Sequence, residues 1–140
     1  MRSPNLSAVG EADVETVRGS YEALNRGDVE AALEALDAEA VWRDSPELPG
    51  SGEFRGREAL RPFLEDFLAE WRDFHQEIED TVVSGNRVAL VIRLTAVGRA
   101  SGIAVDTRYG HVWTMRDGRG VRVDAYRHPQ VALGALDSPG

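Results

Sequence analysis

Read at alternate positions, the segment Ile103 to Met115 puts Tyr109, His111 and Trp113 on one face and Asp106 and Arg108 on the other. The apolar face must look inward, so His111 stands on the core side of a strand between two aromatic rings. A titratable ring is uncommon there and needs a use. Two uses are open: a neutral histidine bonded to another buried polar group, or a donor and acid-base group lining a pocket. The same parity puts Trp42 and Asp44 on one face of a short strand, Ala40 to Asp44. With Trp42 packed inward, Asp44 points at the mouth of a cavity as a candidate base. Otherwise it caps the turn made with Ser45 and Pro46. Tyr21 recurs with Val14, Val17 and Leu24 on a helical stripe, where a phenol adds buried area and seeks one partner for its hydroxyl.

Several other chemistries are excluded. The chain has no cysteine, so thiol nucleophiles, zinc-thiolate sites and disulfides are absent. His75 and His128 sit at strand ends beside charged residues, and no spacing of His, Asp and Glu resembles a metal site. No glycine-rich loop follows a strand and opens a helix as a phosphate cradle requires, and Gly56-Arg57-Glu58 reads as a helix start. Neither metal nor cofactor is expected. With 24 acidic and 16 basic residues the net charge is −8, and the basic side chains are scattered, which speaks against a nucleic-acid partner. The first residues lack the apolar core of a secretory signal, and the longest apolar run is Val88 to Ile92. A cytoplasmic protein with no membrane partner is the expectation.

These side chains must be positioned by elements within one domain, since 140 residues leave no room for a second core. Residues 1–10 lack periodicity and read as a loose arm, 11–136 as the domain, and 137–140 as a tail. A first helix from Glu11 stops at Gly27. Asp28 caps a second, whose buried side carries Val29, Ala32, Leu33 and Leu36. Ser45, Pro46, Pro49, Gly50 and Gly52 mark an irregular loop. A third helix from Gly56 shows the stripe Leu60, Phe63, Leu64, Phe67, Leu68 and Trp71. Period-2 segments at 74–83, 87–98, 102–116 and 120–127 then form an antiparallel meander with turns at Ser84-Gly85-Asn86, Gly98 to Gly102 and Asp117-Gly118. A last helical turn holds Val131, Leu133 and Leu136. Helices first and a meander last give an α+β layer fold, and an interior glycine such as Gly110 suggests that the sheet bends. Val91, Val112 and Tyr126 on the outer face offer apolar area for a second copy, so a homodimer is expected.

Three segments carry a resemblance: Tyr21-Glu22-Ala23-Leu24-Asn25-Arg26-Gly27-Asp28, Phe54-Arg55-Gly56-Arg57-Glu58-Ala59-Leu60, and His111-Val112-Trp113-Thr114-Met115-Arg116-Asp117-Gly118. In order and spacing they resemble the SnoaL-like branch of the nuclear-transport-factor-like superfamily, over about residues 12–136. The resemblance implies a cone-like curved antiparallel sheet covered by N-terminal helices, a cystatin-like roll. It implies a cavity walled by Trp42, Phe63, Phe67, Tyr109, Trp113 and Val123. Set against the ketosteroid isomerase pattern within that superfamily, Tyr21 falls at an oxyanion-hole tyrosine, Asp44 at the catalytic base, and His111 where a protonated aspartate stands. That enzyme is a worked example of a carboxylic acid kept neutral to donate a hydrogen bond, and the histidine departs from it. The cyclases of the family use an aspartate on a late strand, but Asp124 falls on the outer face here. The implied activity is a cofactor-independent isomerase, cyclase or lyase acting on a small apolar carbonyl compound. A non-catalytic binding domain and a dimerisation scaffold with a filled core are the alternatives.

Overall fold

Gly27 does what a glycine after a helical stripe should: at φ 78° it turns the chain out of α1 (Pro4–Asn25). Asp28 caps α2 (Val29–Leu33), accepting a 3.0 Å bond from the Ala31 amide. These features come from a computed structural model that describes residues 4–44 and 52–137. α1 begins at Pro4, inside the segment expected as a loose arm. Proline suits the first turn of a helix, and the sequence pattern misses this part because the buried stripe, Val17, Tyr21 and Ala23, comes only later. α2 is shorter than expected, because Leu36 leaves it to open β1 (Leu36–Asp44). Ser45, Pro46, Pro49 and Gly50 of the expected loop lie outside the described residues.

The chain continues through β2 (Glu53–Arg55), α3 (Arg57–Ala69), β3 (Trp71–Ser84), β4 (Arg87–Gly98), β5 (Ala104–Arg116) and β6 (Arg119–Tyr126). The four long strands are the expected meander. At the β5–β6 turn Asp117 and Gly118 both have positive φ, the backbone that a two-residue hairpin favours. β1 adds to this meander parallel to β6, and β2 pairs antiparallel with β1, so the strand order is β2-β1-β6-β5-β4-β3. The sheet is therefore mixed where a purely antiparallel one was expected. Register shifts in β1, twice in β3, and between Thr114 and Met115 bend it. The first three helices pack on the concave face around Val17, Leu33, Leu60, Val88, Ile92, Trp113 and Val123. Full burial of such side chains contributes about 1.5–3 kcal/mol each.

The convex face has a small core of its own. α4 (Pro129–Gly134) and a 3-10 turn, Ala135–Asp137, place Ala132 and Leu136 on Ala89 and Val112. Gly110 makes this contact possible, since a Cβ there would lie 2.4 Å from that of Ala132. Its role is the close approach of a helix. The Arg87 guanidinium fastens the end of this segment, donating 3.1 Å bonds to the carbonyls of Ala135 and Leu136. Val112, expected to await a partner subunit, is thus covered by the chain's own C-terminal helix, and Tyr126 packs beside it. Elsewhere β3, β4 and β5 carry ion pairs, Arg93 with Asp106 and Arg108 with Glu79, each 2.6 Å. The outer face is more charged and less apolar than the sequence suggested.

Candidate functional site

Strand register decides which side chains meet on the concave face. Asp44 aligns with Ala125, Ala125 with His111, and His111 with Leu90. Asp44 and His111 therefore occupy one row with only an alanine between them, their Cα atoms two inter-strand spacings or roughly 10 Å apart. One row along, Trp42 aligns with Val123, Val123 with Trp113, and Trp113 with Val88. The two valines of that row are wholly buried. Small Ala125 leaves the other open.

The open row faces a cavity of about 350 Å³, within the size range of small-molecule sites. Tyr21, Asp44 and His111 all line it, as do Trp42, Phe63, Phe67, Tyr109 and Trp113. Val123, expected on the wall, is wholly buried between the two tryptophans of its row. Ala125, two residues on, takes the wall position instead. Leu33, Leu60, Leu64 and Leu94 complete a mostly apolar enclosure.

His111 is held by a relay. The Trp113 indole N–H donates to the Tyr21 hydroxyl at 2.9 Å, and that hydroxyl lies 2.5 Å from His111 Nδ1. Trp42 meets the imidazole edge-on, ring centroids 5.2 Å apart. Burial lowers the His111 pKa to about 3, so the ring is neutral at ordinary pH. Burial also pushes the Tyr21 phenol well above its usual value, so it keeps its proton. A phenol is the stronger donor of the pair and an imidazole nitrogen the stronger acceptor, and accepting from Trp113 strengthens the phenol as a donor. That ordering favours a bond from the Tyr21 hydroxyl to Nδ1, with the imidazole proton on Nε2.

A second polar group was missed by the sequence reading. Gln76 is buried, lines the cavity, and donates its side-chain N–H to the Tyr109 hydroxyl. Burial pushes the Tyr109 pKa up to about 12, and the Asp44 charge adds to that shift, which puts Asp44 within electrostatic reach of the same phenol. Asn25 anchors Gln76 at its backbone, accepting from its N–H at 2.8 Å and donating to its carbonyl at 3.0 Å. The parity that singled out His111 also finds Gln76, which sits between inward Phe74 and Ile78 on β3.

Other candidates lie away from the cavity. The Asp124 carboxylate accepts from Arg122 at 2.9 Å and lies near Arg43, off the cavity wall as its strand position predicts. His75 and His128 are exposed. Among the described residues no cluster of three acidic, histidine or cysteine side chains is arranged to hold a metal ion.

A family model described as the SnoaL-like domain matches residues 17–123. No curated protein matches the chain. Solved structures share the fold at low identity. A protein described as a SnoaL-like polyketide cyclase from Jannaschia sp. CCS1 is 19% identical with a TM-score of 0.77, covering 100% of this chain and 99% of that one. Another described as a polyketide cyclase, from Xanthomonas campestris pv. campestris, is 24% identical with a TM-score of 0.70, covering 92% and 99%. TerC, co-crystallised with polyporic acid, is 18% identical with a TM-score of 0.73, covering 91% and 99%.

Proposed function

The chain belongs to the SnoaL-like family, and we propose that its cavity binds a small apolar carbonyl compound and moves a proton next to the carbonyl without a cofactor. One observation carries the reading: a carboxylate, Asp44, and a buried imidazole, His111, stand in one register row and line one cavity. In this reading the ligand carbonyl oxygen accepts from His111 Nε2–H. Asp44 removes a proton from the adjacent carbon, and the C–H electron pair moves into the enolate. The hydrogen bond stabilises the charge that develops on oxygen. A neutral imidazole has the donor strength for this role without presenting a cation to the substrate. Asp44 then returns the proton, to the same carbon in exchange or to another in isomerisation.

The test is solvent exchange. In D2O the protein should place deuterium at the carbon beside the carbonyl of a small bicyclic ketone such as 1-tetralone. Asp44→Asn should abolish that exchange. Binding of the ketone without exchange in the wild type would favour the non-catalytic binding domain.

A further inference from the structure

Ala125 is the smallest side chain that the sheet contributes to the cavity. Its place is fixed by register. It aligns with Asp44 on one side and with His111 on the other, and aligned residues of neighbouring strands face the same way. Its methyl therefore stands between the two groups assigned the chemistry, its Cα roughly 5 Å from the Cα of each. Val123, the previous inward residue of β6, keeps no exposed surface, whereas Ala125 keeps 6% of its own. Around Ala125 the concave face is crowded with rings. Trp42 and Trp113 flank Val123 in the neighbouring row, and Trp42 and Tyr109 both pack on His111, with ring centroids 5.2 and 5.0 Å from the imidazole. The space over Ala125 is the gap through which one ligand can reach Asp44 and His111 together. A longer side chain at this position would project into that gap, because Cβ of an inward strand residue points off the sheet.

We infer that Ala125 is a specificity-determining residue: its methyl is the floor on which the carbonyl group and the adjacent carbon of the ligand rest, and its size sets how broad a ketone can engage Asp44 and His111 at once. The inference rests on the reading that the cavity takes a carbonyl compound. It names the members of that class that depend on Ala125, namely ketones set in a fused-ring system, which need the room an alanine leaves, whereas a single small ring does not. The cavity as a whole, about 350 Å³, is not filled by one added methyl or two. Enlarging position 125 thus displaces the carbonyl of a broad ketone from its two partners, and proton transfer falls because the reacting atoms are misplaced.

The experiment measures solvent exchange in D2O, as kcat/KM, for 1-tetralone and for cyclopentanone. Ala125→Val and Ala125→Thr each add two heavy atoms, match one another in size, differ in polarity and suit a strand, and circular dichroism checks that they fold. Both variants should lower the 1-tetralone value by about ten- to two-hundredfold, the range for a methylene-sized change in a pocket. Cyclopentanone should lose far less, so the ratio of the two ketones falls by about tenfold or more in each variant. A ratio that stands in either folded variant overturns the inference, whether both ketones slow together, as a merely structural role would have it, or neither does. Wild-type exchange in that case leaves the carbonyl reading intact. If the wild type exchanges neither ketone, the carbonyl reading fails and this inference fails with it.

Discussion

Replacing His111 with glutamine tests the buried neutral imidazole through its effect on folding. The folded ring titrates at about 3, against an ordinary value of 6.5. As pH falls below 6.5 the unfolded chain takes up a proton that the folded chain refuses, so the folded state loses stability. The contribution is complete above 6.5 and is lost progressively as pH falls towards 3. Each pH unit in that window is worth about 1.4 kcal/mol. At pH 5, 1.5 units below the unfolded value, the loss is about 2 kcal/mol by the same conversion. Glutamine does not titrate, so His111→Gln should lack this contribution. Carboxylates with lowered values, such as Glu79 and Asp106, affect both proteins alike and cancel in the comparison. The assay is urea unfolding at pH 7 and pH 5, read by circular dichroism. The wild type should lose about 2 kcal/mol more than the variant between the two pH values. An equal loss in both would refute a buried neutral His111.

Tyr21→Phe strips partners from the Trp113 indole N–H and from His111 Nδ1 at once, and should destabilise the fold by about 2–4 kcal/mol. In the imidazole nitrogen NMR spectrum at pH 7 the wild type should show a neutral ring protonated at Nε2, and Tyr21→Phe a mixture of tautomers; a wild-type ring protonated at Nδ1 would reverse the roles assigned here. Gly110→Ala should lower stability by about 1–3 kcal/mol, because its methyl would meet Ala132 and push α4 off β5. An unchanged thermal midpoint would mean that the helix does not rest on that strand.

The meander was legible because parity and turn chemistry act locally. Ser84-Gly85-Asn86 and Asp117-Gly118 fall where the strands end, and alternation sent Tyr109, His111 and Trp113 inward. β2 was not legible, because three residues cannot display a period. The parallel pairing of β1 with β6 was hidden as well, since it joins segments about eighty residues apart and leaves no local mark. The C-terminal helical turn was readable from Val131, Leu133 and Leu136; Leu133 and Leu136 pack on the convex face with Ala132, and Val131 is exposed. A small residue opposite Gly110 fits where a larger one would not. At the site, parity sent His111 inward, and the family resemblance brought Tyr21, Asp44 and His111 together on one cavity, which all three line. Which atom carries the proton depends on a hydrogen bond between α1 and β5, ninety residues apart, which leaves no local mark in the sequence. Gln76 was within reach of the same parity and was passed over amid the charged residues of β3.

The account stands most directly on proton transfer in the cavity. The deciding measurement is the rate at which the protein, in D2O near neutral pH, exchanges the protons beside the carbonyl of 1-tetralone. A positioned general base contributes on the order of 10²–10⁴-fold, so wild-type exchange should exceed that of Asp44→Asn by about that factor. Equal exchange by the two proteins, with the ketone bound in both, would contradict it.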